Sequence, residues 1–137
     1  MNRWRDDLAT GISAVDEQHK EMFRRIDGLL QACQEGKGRE KVGGMIDFLG
    51  GYVARHFKDE ESLQISSGYP GHVSHKKLHG QFLADFGRFK KKFDSEGPSL
   101  TLVMGMNKFL VEWAVNHIER EDKAMAEYIR EKAEKVG

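Results

Sequence analysis

The sequence predicts an all-α fold, an up-down-up-down four-helix bundle with an extended N-terminal arm. Apolar or imidazole side chains recur at helical spacing along four separate stretches, most strictly from His75 to Phe93, where steps of four and three alternate. Short breaks rich in glycine, serine and proline divide those stretches: residues 36–38, 66–70 and 94–98. No segment shows the strict alternation that marks a half-buried strand. At 137 residues the chain is expected to form one domain, 1–137, large enough for a single core.

Residues 1–15 carry no clear period, and Trp4, Leu8, Ile12 and Val15 are expected to pack them on the body as an arm. Asp16 reads as the N-cap of the first helix. Its apolar stripe is His19, Met22, Phe23, Ile26, Leu29, Leu30 and Cys33, stopped by Gly36 and Gly38. The second stripe is Val42, Ile46, Leu49, Val53, His56, Glu60 and Leu63. Within it Gly43, Gly44, Gly50 and Gly51 each weaken helix propensity by about 1 kcal/mol relative to alanine, so burial must hold this helix together. Pro70 suits the first turn of the third helix. That helix has the strictest stripe, His75, His79, Phe82, Phe86, Phe89 and Phe93. The fourth is Leu102, Met106, Phe109, Leu110, Trp113 and His117; it resumes at Met125 and Ile129 and frays over residues 131–137.

Lys plus Arg equals Asp plus Glu at 22 each, so no net charge draws the chain to nucleic acid or an anionic membrane. The run Lys90, Lys91 and Lys92 lies near a helix end and reads as a solvated face. No apolar run approaches the roughly 20 residues of a membrane span, and MNRWRDDLATG lacks the apolar core of a signal peptide. The single Cys33 excludes an internal disulfide and fits a reducing compartment. The expectation is a cytoplasmic protein without nucleic-acid or membrane partners.

Chemistry concentrates in the histidines. Five of the six, His19, His56, His75, His79 and His117, lie on core-facing stripes, and every helix contributes at least one. Residues four apart on a helix sit one above the other, about 40° apart around the axis. His75 and His79 therefore aim at one point, and Glu60 points inward with His56. In an up-down bundle the start of the first and third helices meets the end of the second and fourth. One end of the core thus collects five imidazoles and a carboxylate, which is costly unless the groups are paired or hold a metal. Asp122 follows His117 by five residues, about 140° around an ideal helix. Spacing alone favours a surface acid there; an inward Asp122 requires an irregularity or π-bulge at Ile118 to Glu121. His72 falls outside the stripe and reads as solvated, and no Ser, Cys or Lys is arranged as a nucleophile with a base.

His19 in DEQHK, His56 and Glu60 in HFKDE, His75 and His79 in HKKLH, and His117 with Asp122 in HIERED together resemble the hemerythrin family. Thr10-Gly11-Ile12, Tyr69-Pro70 and Trp113, four residues before His117, are similar to its bacterial members. The resemblance covers nearly the whole chain. It implies two iron ions in a non-haem di-iron centre, bridged by Glu60, Asp122 and an oxo or hydroxo group from solvent. By that pattern His75, His79 and His117 hold a six-coordinate iron, while His19 and His56 hold an iron with one position open to dioxygen or a small anion. Imidazole and carboxylate suit iron, and seven ligands exceed what one tetrahedral zinc uses, although zinc and copper also favour such nitrogen donors.

The implied function is reversible dioxygen binding for carriage, storage or delivery, without enzymatic turnover. A di-iron redox enzyme, peroxidase- or oxidase-like, and an oxygen or redox sensor are the alternatives. Five histidines with two carboxylates argue for binding, since di-iron oxidases in bundles draw on four carboxylates. A departure from the family's pattern lies at Ala114, after Trp113, where a bulky apolar residue is usual. It predicts a wider approach to the open iron and faster oxidation of the oxygenated form.

Overall fold

The computed structural model of the chain describes the backbone of residues 4–136 and the side chains of residues 4–133. The first three residues of the expected arm, and Gly137 of the expected tail, lie outside it. Four rods run up, down, up and down: α1 (Ser13–Gln34), α2 (Arg39–Ser67), α3 (His72–Glu96), and a fourth made of α4 (Leu100–His117), a π-helical turn (Ile118–Asp122) and α5 (Lys123–Val136). No strand occurs among the described residues. α1 packs on α2 and α4, and α2 on α3.

The arm holds a 3-10 turn, Asp6–Leu8, and its fully buried Leu8 anchors it. Arg5 pairs with Glu119 at 2.8 Å, and Lys123 Nζ donates to the Asp7 carbonyl, tying the turn to the fourth rod. α1 begins at Ser13, so Val15 belongs to the helix rather than the arm, and Asp16 lies inside the first turn. Asp16 still manages the entry, from inside. Its Oδ1 accepts from the Thr10 amide and hydroxyl, each at 2.8 Å, and its Oδ2 accepts from the Gly11 amide at 3.3 Å. Gly11 sits at φ 86°, a conformation that a residue with a Cβ rarely adopts.

α1 ends as expected at Gly36 (φ 78°), where the amides of Gly36 and Lys37 reach back to Cys33 and Ala32. Pro70 stands outside α3, before its N-cap Gly71, because Gly68 and Tyr69 already close α2 onto Ile65 and Gln64. The next break is shorter than expected: α3 continues through Asp94, Ser95 and Glu96, and Ser99 Oγ caps α4 by accepting from the Leu102 amide. α5 likewise runs on to Val136 instead of fraying from residue 131.

Leu29, Val42, Ile46, Leu49, Phe93, Val103 and Met106 fill the end of the bundle where α2 begins. Two of the four α2 glycines have a packing reason. A Cβ at Gly50 would stand 2.8 Å from the Phe86 ring, and one at Gly43 would stand 3.3 Å from Phe93. Gly44 and Gly51 face open space. On α4 the buried face is turned slightly from the expected stripe: Val103, Asn107 and Ala114 are buried, and Phe109 and Trp113 are half-buried. Asn107 donates across the α1–α4 seam to the Ile26 carbonyl at 3.0 Å, satisfying its buried amide.

Candidate metal centre

All seven residues singled out by the sequence meet at the end of the bundle where α2 stops and α3 starts, and each is at most 6 % exposed. The opening of α1 supplies His19, the close of α2 supplies His56 and Glu60, the opening of α3 supplies His75 and His79, and the fourth rod supplies His117 and Asp122. Asp122 turns inward through the π-helical turn. The Lys123 amide bonds to the Ile118 carbonyl, so the turn closes over five residues and Asp122 lies on the same face as His117.

The imidazoles fall into two sets. Nε2 of His117 lies 3.0 Å from Nε2 of His75 and 3.2 Å from Nε2 of His79. His19 and His56 pack edge to face, with ring centroids 4.7 Å apart. Each carboxylate turns one oxygen to each set. Glu60 Oε2 stands 2.9 Å from His56 Nε2 and 3.3 Å from His19 Nε2, while Oε1 stands 3.4 Å from Nε2 of both His75 and His79. Asp122 Oδ2 lies 3.0 Å from His19 Nε2, and Oδ1 lies 3.0 and 3.2 Å from Nε2 of His75 and His117.

Two outer hydrogen bonds fix which nitrogen faces inward. His79 donates from Nδ1 to Glu61 Oε2 at 2.9 Å, and His56 donates from Nδ1 to Gln18 Oε1 at 2.6 Å. Gln18 donates its own Nε2 to Asp59 at 3.0 Å, which sets its amide with the oxygen toward His56. In a neutral ring a proton on Nδ1 leaves a lone pair on Nε2, aimed at the centre. Phe57 stacks on His79 (3.8 Å, 2° between planes) and Trp113 on His117 (4.3 Å, 14°). A separate apolar cluster of Leu8, Phe23, Ala114 and Ile118 lies beside the site, with half-buried Trp4 against Phe23. Ala114 is 3 % exposed, so its small side chain sits beneath the arm.

Charge dominates the site. Burial alone pushes His19 and His75 down, but the facing carboxylates of Asp122 and Glu60, which would hold an added proton, outweigh it and lift both to about 9. Burial pushes the Glu60 carboxyl up, and the imidazoles of His56, His19 and His75 around it bring it well below the usual carboxylate range. Asp122 is held low as well: burial and the Glu60 charge raise it, and His117, His19 and His75 more than offset them.

These residues fit a pair of metal ions. Both Glu60 oxygens and Asp122 Oδ1 are buried and receive no hydrogen bond among the described residues, although imidazole nitrogens surround them. Donor atoms about 2.1 Å from one ion stand about 3.0 Å apart when they meet at right angles, and the facing nitrogens and oxygens lie 2.9–3.4 Å apart. Ligand atoms within 4.8 Å of one another form two overlapping groups, His19, His56, Glu60 and Asp122, and Glu60, His75, His79, His117 and Asp122. Only the carboxylates belong to both. Protons and metal ions compete for the same lone pairs, so metal loading releases protons.

Four contributors escaped the sequence reading. Glu61 and Gln18 are neighbours of ligand-type residues, with nothing in their spacing to mark them. Gln64, fully buried and donating to Met125 Sδ at 3.0 Å, lies four residues beyond Glu60, a position the stripe assigned to half-buried Leu63. Phe57 reaches three histidine rings, of His56, His79 and His117, from a position read only as part of HFKDE.

Comparison with known proteins agrees with this geometry. Residues 10–129 match the family model described as the hemerythrin HHE cation binding domain. The bacteriohemerythrin of Pseudomonas paraeruginosa is 32 % identical over 127 residues, covering 93 % of this chain and 80 % of that protein. The myohemerythrin of Sipunculus nudus is 25 % identical over 87 % of this chain and 86 % of its own. Among solved structures, that of wild-type hemerythrin superposes with a TM-score of 0.81 at 29 % identity, covering 92 % of this chain and 95 % of the other.

Proposed function

The chain belongs to the hemerythrin family, and from that premise we propose that it binds dioxygen reversibly at a non-haem di-iron centre, for carriage, storage or delivery. The observation that carries this reading is the division of both inner carboxylates, each with one oxygen toward each histidine set. His75, His79 and His117 would hold one iron and His19 and His56 the other, with Glu60 and Asp122 within reach of both. The iron served by the smaller nitrogen set is the one that would admit dioxygen or a competing small anion. When bound, the pair of irons supplies the electrons that dioxygen takes up on binding and returns on release.

The chain's own residues do the rest. Gln18 and Glu61 hold His56 and His79 in the tautomer whose Nε2 faces inward. Phe57 and Trp113 press on ligand rings and fix their planes. Leu8, Phe23 and Ile118 keep water from the side of the site where the arm crosses Ala114, and a dry pocket preserves a bound ligand from side reactions. Five imidazoles against two carboxylates favour holding dioxygen over oxidising a substrate with it, so the protein acts as a binder and not as an enzyme. No helix of the described residues is long and apolar enough to cross a membrane. We place the protein in the cytoplasm because its one cysteine, Cys33, suits a reducing compartment.

The test is optical. Iron-loaded protein is reduced without air, exposed to oxygen, then degassed. A visible charge-transfer band that appears and disappears over repeated cycles is expected. A single irreversible bleaching, with turnover of added peroxide, would replace this reading with a redox enzyme.

A further inference from the structure

We infer that Glu61 is a positioning residue for His79, and that the two metal positions differ in strength because a carboxylate backs one histidine set and a neutral amide the other. The inference rests on the di-iron reading above. Glu61 follows Glu60 on α2, yet the two carboxylates diverge: Glu60 turns into the centre, and Glu61, 19 % exposed, reaches the outer nitrogen of His79 across the α2–α3 seam. On the α1–α2 seam, Gln18 reaches the outer nitrogen of His56. His19 and His75 receive no such support, since their Nδ1 atoms are buried without a hydrogen-bond partner among the described residues or, for His19, at either nitrogen. His56 in one set and His79 in the other are thus braced from outside.

The two braces are chemically unequal. A carboxylate accepting the Nδ1 proton carries full negative charge toward the ring and makes Nε2 a stronger donor. The Gln18 amide fixes the tautomer but is itself neutral, and the Asp59 carboxylate that accepts from its Nε2 stands one group further from the ring. Phe57, stacked flat on His79, leaves that ring free to turn only in its own plane, and Glu61 stops that rotation. The position served by His79 accordingly gains both orientation and donor strength from Glu61. The position served by His56 gains orientation alone from Gln18.

Anaerobic titration with ferrous iron against a chelating competitor tests this in the wild type, Glu61→Ala, Glu61→Gln and Gln18→Ala, with anomalous diffraction to show which position loses metal. Glu61→Ala is expected to hold one ion about 10–100-fold more weakly, at the position of His75, His79 and His117. Glu61→Gln keeps an acceptor without the charge and recovers part of that loss, which a merely structural role would not produce. Gln18→Ala moves the loss to the position of His19 and His56. Wild-type affinity in Glu61→Ala, equal weakening of both positions, or no recovery in Glu61→Gln would overturn the inference. A wild-type protein that takes up fewer than two ions would instead overturn the di-iron reading, whatever the variants do.

Discussion

Where α2 begins, the four rods meet through the apolar side chains of Leu29, Val42, Ile46, Leu49, Phe93 and Val103. About 20 Å along the same rods, by roughly 1.5 Å of rise per residue, the inward positions carry His19, His56, Glu60, His75, His79, His117 and Asp122, equally buried. The first end is stabilised by removing apolar surface from water. The second takes charged and polar groups out of water and leaves carboxylate oxygens without hydrogen bonds, a loss that only a cation repays in full. One end makes the bundle, and the other uses the bundle's rigidity to hold donors that would otherwise repel or hydrate.

That contrast predicts separable failures. The largest effect is expected from metal removal. Each ion present at 1,000-fold above its Kd contributes about 4 kcal/mol of apparent stability, so chelation lowers the thermal midpoint while circular dichroism still reports a helical bundle. Collapse of the helices on chelation would show that the apolar end cannot stand alone. Next in size, Phe93→Ala removes a buried ring and is expected to cost about 3–5 kcal/mol in denaturant unfolding with iron content still two per chain. Loss of iron in that variant would mean that the two ends are coupled.

Overpacking gives a smaller effect at each end. Gly50→Ala brings a Cβ to the Phe86 ring edge at the α2–α3 seam, and Ala114→Leu adds three carbons among Leu8, Phe23 and Ile118; each is expected to cost about 1–3 kcal/mol. Only Ala114→Leu should also slow autoxidation of the oxygenated protein, and Leu8→Ala should speed it. Equal decay in wild type, Ala114→Leu and Leu8→Ala would remove the arm from any part in shielding the site.

The smallest effect concerns pH in metal-free protein. His19 and His75 are raised to about 9 from an ordinary value of 6.5. Their contribution to stability is fully present below 6.5 and is lost as pH rises through 9. The thermal midpoint of metal-free protein should therefore fall across that window, and Phe93→Ala should leave the slope unchanged. A flat profile would mean that the carboxylates do not hold protons on these imidazoles.

Most of the apolar end was legible in the sequence, because a stripe at helical period needs little further information; Val103, buried beside the expected face of α4, was not. Five histidines and Glu60, which share that period, were legible too. Asp122 was not: its spacing argued for the surface, and only family resemblance, or the π-helical turn that it demanded, put it inside. Element ends were read two to four residues wrong at Pro70, Asp94 to Glu96 and Asp16, where hydrogen bonds from the Gly68, Gly97 and Thr10 amides decide the ends. Gln18 and Glu61 stayed hidden because an outer hydrogen bond across a seam depends on rotation of two helices about their axes, which no one-dimensional pattern records. Ala114 was visible as a gap, but not the Leu8 that covers it, since the arm has no period to show where it folds.

The most direct measurement is anomalous diffraction at the iron edge from crystals of fully loaded protein. Two peaks are expected, one beside His75, His79 and His117 and one beside His19 and His56, with Glu60 and Asp122 between them. A single peak, or either carboxylate turned to solvent, would contradict the account.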